Sequence, residues 1–276
     1  MGASVEAASD KPGLGRFELD VSVEGKVALV TGGSRGIGLA TALELARSGA
    51  KGVTITSRKP ENIESARDEM IAEGVDADRI LALPARADSE ESANEAIART
   101  LETFGACDIL VNNAGTNPSA GDLMDVDLGA LDKTWAVNLR APLLWVRAAY
   151  HAWMEKNGGA VVNVASVAGL RPGPITGAYN ISKAGLVHMT RQLAFELAPS
   201  IRVNAVAPAV VRTRLAGMLI QNEEAVSRMH PMGRIGEPDD VARLIVFLAS
   251  DASSWMTGAI VPVDGGVTEA SSSGIS

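Results

Sequence analysis

The chain of 276 residues predicts an α/β fold: a single doubly wound parallel sheet of about seven strands with helices on both faces. Three observations carry this expectation. Short β-branched, apolar runs that read as buried strands alternate with segments of helical length, the pattern of parallel strands joined by right-handed crossovers. A glycine-rich turn stands between the first strand and the first helix, where such sheets bind nucleotides. No linker divides the two halves, so one domain is expected rather than a pair.

Residues 1–22, with Ala, Ser, Gly and charge but no periodicity, read as a flexible N-terminal tail, and 23–276 as the single domain. The first strand is Lys26-Val-Ala-Leu-Val-Thr31, followed by the turn Gly32 to Gly38 and a helix from Leu39 to Ser48 closed by Gly49. Strand 53–57, helix 61–73, strand 80–83, helix 90–104 and strand 108–112 repeat the alternation. A long helix around 131–155, strand 160–165, helix 179–197, strand 201–207, helix 239–248 and strand 260–263 complete it. The irregular stretch 208–238, with short helical pieces around Leu215 and Glu223, follows a core strand directly and is read as a substrate loop.

The bulk numbers exclude several classes. A net charge of −8 without a clustered basic face argues against nucleic acid as a partner. Cys107 is the one cysteine and precedes an apolar run, so neither a disulfide framework nor a cysteine-rich metal set is expected. The three histidines, His151, His188 and His230, lack ligand-like spacing and are read as helix-surface or loop residues, with no metal site. No apolar run approaches the ~20 residues of a membrane span, and the N-terminus lacks a signal-peptide pattern, which makes the cytoplasm the expected location.

Thr31-Gly-Gly-Ser-Arg-Gly-Ile-Gly38 has the flanks of a dinucleotide fingerprint. Its glycines allow a tight turn and close approach to a pyrophosphate seated on the helix N-terminus. Gly32, Ser34, Arg35, Gly36, Ile37 and Gly38 are the expected contacts. At the end of the second strand, where a ribose-binding acid is expected, Ser57 is followed by Arg58. With no carboxylate to repel a 2′-phosphate, and with Arg35 and Arg58 to meet it, NADP(H) is preferred over NAD(H).

Tyr179 and Lys183 stand four apart at the start of a helix and share a face. An ammonium beside a phenol favours the phenolate, and a phenol so tuned exchanges a proton with an alcohol or carbonyl oxygen. Ser166 follows an apolar strand run and so sits at a strand's C-terminal end, where open α/β sheets bind ligands.

Together these residues resemble the short-chain dehydrogenase/reductase family, in particular bacterial 3-oxoacyl reductase-like members. The resemblance covers Gly25 to Val267 and rests on the glycine turn, Asn112-Asn-Ala-Gly115, Asn138, Ser166 and Tyr179-x-x-x-Lys183 in the family's order. It implies that Tyr179 is the general acid of reduction and general base of oxidation, and that Ser166 bonds the substrate oxygen. It implies that Lys183 lowers the tyrosine pKa and binds the nicotinamide ribose, and that Asn138 holds a water of a proton relay. Asn112, Ala114 and Gly115 would line the adenosine side, and Val211 and Thr213 would meet the nicotinamide carboxamide. The implied activity is carbonyl reduction, of a ketone or 3-oxoacyl group, with oxidative alcohol or hydroxyacyl dehydrogenation as the alternative and a non-catalytic dinucleotide sensor behind both. The implied assembly is a homotetramer.

Two departures from the family pattern stand out. Ala85-Arg86-Ala87-Asp88 replaces the usual acid at the adenine, leaving Arg86 or a shifted Asp88 for that place, and Ala209 replaces the glycine after Pro208. The substrate walls are expected from 167–175, from 209–230 and from Leu139 to Leu144, with Arg171, Arg212 and Arg214 as the nearby charges.

Overall fold

The computed structural model describes residues 21–217, 220 and 222–270. The tail expected over residues 1–22 therefore lies outside the described residues apart from Val21 and Ser22. Seven strands form one sheet: β1 Val27–Val30, β2 Gly52–Ser57, β3 Ile80–Pro84, β4 Ile109–Asn112, β5 Gly159–Val164, β6 Ile201–Pro208 and β7 Ile260–Val263. Their order is β3-β2-β1-β4-β5-β6-β7, and every pairing is parallel. The order reverses between β1 and β4, which opens a crevice at their C-terminal ends.

The strands are mostly apolar because both faces are covered. On one face Ala28, Val30, Val53 and Ile55 meet the helices α1 (Gly36–Arg47), α2 (Pro60–Ala72) and α9 (Pro238–Ala249). On the other, Leu29, Leu110 and Val161 meet α3 (Glu90–Phe104), α5 (Ala141–Ala149) and α7 (Gly177–Leu197). Neighbouring residues of β1 thus serve opposite faces, as the strand period of two requires. Cys107 is buried in the second core.

The long helix expected over 131–155 runs as α4 (Leu128–Trp135), a π segment Ala136–Arg140, α5, a second π segment Tyr150–Met154 and the short α6 (Glu155–Asn157). The stretch 208–238 holds the expected short pieces, a 3₁₀ turn Arg214–Ala216 and α8 (Glu223–Arg228), and α10 (Val267–Ala270) follows β7. Among the described residues no helix is long and apolar enough to cross a membrane.

Candidate active site

The glycine turn lies at the crevice. Gly32 and Gly36 have φ of 65° and 54°, which a side chain would strain. At Gly38 a Cβ would stand 2.3 Å from the Gly32 carbonyl oxygen and 2.4 Å from Asn113 Nδ2, so the turn closes only around glycine. Asn113 holds that turn by donating Nδ2 hydrogens to Thr31 O (2.9 Å) and Gly32 O (3.0 Å). The helix α1 opens without a side-chain cap and without an acid in its first turn, so its N–H groups and dipole are left for an anion. These residues fit a pyrophosphate, with Gly36, Ile37 and Gly38 as the amide donors and the exposed Arg35 beside them.

Ser57 ends β2 and pairs with Pro84 of β3; its carbonyl accepts from Ala85 N at 2.8 Å. The exposed Arg58 follows. Of the two alternatives after β3, Asp88 is tied elsewhere: Oδ2 accepts from Lys133 Nζ on α4 at 2.6 Å and from Arg86 Nη2 at 3.2 Å. Those two cations hold its carboxyl below the ordinary carboxylate range despite partial burial, which pulls the other way as the largest single influence. Arg86 is left as the exposed residue at that rim.

Asn112, expected on the adenosine side, is buried and ties two strands together. Its Nδ2 donates to Asn163 Oδ1 on β5 at 2.9 Å and lies 3.4 Å from Pro142 O. Its neighbour Ala114 comes against the turn instead, with Cα 2.9 Å from where a Gly32 Cβ would stand. Gly115 is exposed, and a Cβ there would lie 3.6 Å from Asn138 Oδ1 and 3.8 Å from Lys183 Nζ, so these two groups flank it.

Ser166 lies two residues past β5, extended, and caps a 3₁₀ turn by accepting from Ala168 N at 3.1 Å. The helix α7 begins at Gly177, two residues before Tyr179, so Tyr179 and Lys183 both project from its first turns. The Ser166 hydroxyl, which donates to Pro208 O at 3.4 Å, stands close enough to Tyr179 to act on its phenol. Lys183 is buried, donates to Val164 O at 2.7 Å and holds Nζ 5.7 Å from the centre of the Tyr179 ring.

The electrostatics separate the two groups. Desolvation pushes the Tyr179 phenol above its ordinary value, and the nearby Ser166 hydroxyl offsets part of that rise. Burial alone brings the Lys183 amine down from 10.5 to about 8. The phenol of this site without ligands is therefore a protonated donor at neutral pH, and the amine is still mostly charged there.

Asn138 sits fully buried in the first π segment. Its Oδ1 accepts from Thr116 N (2.8 Å), and its Nδ2 donates to Thr116 O (2.9 Å) and Ser182 Oγ (3.1 Å). Ser182 Oγ in turn donates to Tyr179 O at 2.7 Å. Both amide hydrogens are spent, so a water on Asn138 must use an acceptor, either the second lone pair of Oδ1 or the main-chain carbonyl that a π turn leaves open.

The loop residues are sorted by their contacts. Val211 is buried and bridges to Gly236, and a Cβ on Gly36 would stand 3.0 Å from Thr213 Cγ2, which places Thr213 over the glycine turn. Arg212, expected as a charge near the substrate, is bidentate on Glu223 (2.7 Å to each oxygen) and reaches Glu237 at 2.9 Å. It staples the loop. Leu139, expected as a substrate wall, packs beneath α7, 3.0 Å from where a Gly185 Cβ would stand. Ala209 is unstrained, since among the described residues the positive φ outside glycine is that of Ile175, at 56°. His230, read as an ordinary surface or loop histidine, is buried instead.

Residues 32–268 match the family model described as "Enoyl-(Acyl carrier protein) reductase". Human "Dehydrogenase/reductase SDR family member 4" is 39% identical over 245 residues, which are 87% of each chain. "Tropinone reductase-like 3" of Erythroxylum coca is 36% identical over 247 residues, 88% of this chain and 93% of that one. Among solved structures, a short-chain type dehydrogenase/reductase from Mycobacterium marinum superposes with a TM-score of 0.84 at 32% identity, covering 90% of this chain and 97% of that one. The structure described as "ElxO with NADP Bound" gives 0.82 at 32% identity, covering 89% and 99%.

Proposed function

The chain belongs to the short-chain dehydrogenase/reductase family, and on that footing we propose that it reduces a carbonyl, a ketone or 3-oxoacyl group, to a secondary alcohol with NADP(H). The observation that carries this reading is a half-buried, protonated phenol beside the Ser166 hydroxyl and faced by a buried ammonium at a strand's C-terminal end. The dinucleotide, when bound, supplies the hydride. Tyr179 gives its proton to the oxygen that becomes the alcohol, and Ser166 donates to the same oxygen as charge develops on it. Lys183 offsets the phenolate left behind and, with Asn138 Oδ1 beside it at Gly115, stands where a returning proton would enter.

Several features support the finer reading. Arg35 in the glycine turn and Arg58 after β2 are exposed, and Ser57 brings no carboxylate, which favours a 2′-phosphate. One similar structure holds NADP. The exposed Phe195 and Trp255 offer apolar surface to further copies of the chain, in keeping with a homotetramer, and a cytoplasmic location goes with this assignment.

An NADPH-oxidation screen over 3-oxoacyl thioesters, cyclic ketones, α-diketones and steroids identifies the substrate. With any accepted ketone, Tyr179→Phe should lower kcat by about 10²- to 10⁴-fold while NADPH binding, read by fluorescence, is kept. Retained turnover overturns the mechanism.

A further inference from the structure

The stretch that joins Ser166 to α7 folds back on the helix and is held there at both ends. Near its start, a Cβ on Gly169 would stand 2.6 Å from the main-chain carbon of Lys183, so the loop meets the helix backbone at a glycine. Near its end the holding group is Asn180, the residue after Tyr179 and only 8% exposed. Its Nδ2 donates to Gly173 O at 3.2 Å, and its main-chain N–H donates to Thr176 O at 2.9 Å. The Gly173 carbonyl can only accept, which fixes the orientation of the amide and leaves Oδ1 as the acceptor for Thr176. Thr176 Oγ1 donates to that Oδ1 at 2.8 Å, a shorter approach than its 3.3 Å to Pro174 O.

What Asn180 holds is an unfavourable conformation. Between Gly173 and Thr176 lies Ile175, at φ 56°, a region that β-branched residues avoid. Its side chain is half exposed, so packing in the core is not what keeps it there. Strained residues of this kind persist where their surroundings over-determine them, and they collect at ligand clamps. The second constraint comes from the loop after β4. Ile175 O accepts from Gly121 N at 2.9 Å, and Gly121 and Thr176 form a short parallel bridge. Leu123 of that loop has its Cβ 3.3 Å from where a Gly177 Cβ would stand at the start of α7. The loops that leave β4 and β5, with Gly115 and Ser166 at their bases, are thus joined further out. Leu123, Met124 and Ile175 leave apolar surface exposed on the two sides of the join.

We propose that Asn180 is a positioning residue of the reaction. It clamps 173–176 to the helix that carries Tyr179 and, through Ile175 O, seats the opposite loop at Gly121, which sets the rim over which substrate enters. This rests on the carbonyl-reduction reading and deepens it. The rim so fixed suits a ketone with a neutral, apolar body, since Leu123, Met124 and Ile175 are exposed there and the charges of 121–125 are the acids Asp122 and Asp125.

The first test needs no substrate. In the ¹⁵N-labelled full chain, Asn180→Ala should speed exchange of the Gly121 amide about three- to tenfold, the range of one neutral hydrogen bond, although that amide is bonded to Ile175 and not to Asn180. Thr176→Val, which keeps the shape and loses the hydroxyl, should do the same, and Thr176→Ser should exchange like wild type. The second test uses the ketone that the NADPH-oxidation screen ranks best. Asn180→Ala and Thr176→Val should each raise its KM about three- to tenfold while kcat stays within about twofold and NADPH binds as before. The double variant should be no worse than Asn180→Ala, because the two act through one bond. Should Asn180→Ala not fold, Thr176→Val carries both tests.

Unchanged exchange at Gly121, an unchanged KM, NADPH binding weakened as much as ketone binding, or Thr176→Ser behaving as Thr176→Val would each overturn the proposal. Pyruvate, a small anionic ketone, reduced with a higher kcat/KM than cyclohexanone would overturn the substrate class. A wild type that reduces no ketone in the screen refutes the carbonyl-reduction reading and this role with it, and the exchange test still reports whether Asn180 holds the rim.

Discussion

Lys183→Met tests the electrostatics of the candidate site without reference to any substrate. Holding the amine at about 8 rather than 10.5 means that keeping it buried and charged at pH 7 costs on the order of 3 kcal/mol. The unfolded chain keeps this proton up to its ordinary value, whereas the native chain releases it from about 8 upward. Between those limits the unfolded state binds more protons, so wild-type stability must rise with pH in that window, and below it the full cost is present. The variant lacks the group and therefore lacks the slope. Its offset at pH 7 combines relief of that cost with loss of the 2.7 Å bond to Val164 O, and the slope, not the offset, is the test. Urea unfolding of both proteins without cofactor at pH 7, 8 and 9 should show wild type gaining about 1.4 kcal/mol relative to the variant. The range stops below the point where Tyr179, raised by burial, begins to destabilise both proteins as its folded form resists ionisation. A difference that stays flat from pH 7 to 9 would show that Lys183 keeps an ordinary pKa and refute the burial argument.

Arg58→Ala should lower the ratio of kcat/KM for NADPH over that for NADH by about 10- to 100-fold, the loss of one charge-assisted contact; an unchanged ratio, or wild type preferring NADH, removes Arg58 from cofactor choice. Gly38→Ala places a methyl 2.3 Å from the Gly32 oxygen, so the turn must spread. Calorimetry should find NADPH weakened by at least about tenfold alongside a stability loss of about 1–3 kcal/mol. Ser182→Ala leaves Asn138 Nδ2 without its 3.1 Å acceptor and Tyr179 O without its 2.7 Å donor. It should lower Tm through a loss of about 1–3 kcal/mol and reduce kcat more than it raises KM, because what it loosens is the helix turn that aims the phenol.

The sheet was legible because its strands are short, mostly apolar and β-branched runs, and the pair on α7 because Tyr179 and Lys183 are one helical turn apart. What escaped the sequence depends on partners distant along the chain. Ala136 to Arg140 has the apolar rhythm of an ordinary helix, and only its i to i+5 bonding, set where Thr116 grips Asn138, makes it a π turn. Nothing in isolated Arg212 reveals Glu223 and Glu237 beside it. Leu139 reads as any apolar wall residue until Gly185 is placed against it. His230 carries a weak signal: it lies in Met-His-Pro-Met, an apolar setting for a loop histidine, and in the fold it packs near Gly265. Ile175 carried none, since a β-branched residue at φ 56° is the opposite of what local preference selects. Its carbonyl accepts from Gly121 N at 2.9 Å, so a contact across the cleft rim holds it there.

The rotation of α7 about its own axis decides whether the phenol meets Ser166, and a helix packed only by Leu, Val and Ala against a flat sheet is weakly held in that respect. A buried polar chain supplies the missing constraint. Asn112 Nδ2 donates to Asn163 Oδ1, and Asn163 Nδ2 donates to Thr190 Oγ1, both at 2.9 Å, linking β4 to β5 and β5 to α7. Thr190 is seven residues beyond Lys183 and eleven beyond Tyr179, two and three turns along the same face. All of these groups except Tyr179 are buried, so a slip of the helix by even a fraction of a turn would leave amide hydrogens unpaired in the core, at about 1–3 kcal/mol each. The Lys183 bond to Val164 O, at the end of the same β5, fixes the helix a second time. Two anchors on one strand, two turns apart on the helix, define its phase, and Ser166 is attached to that strand two residues further on. The residues of the reaction are therefore aligned by polar contacts within the core, at positions where a purely apolar core would have permitted several registers.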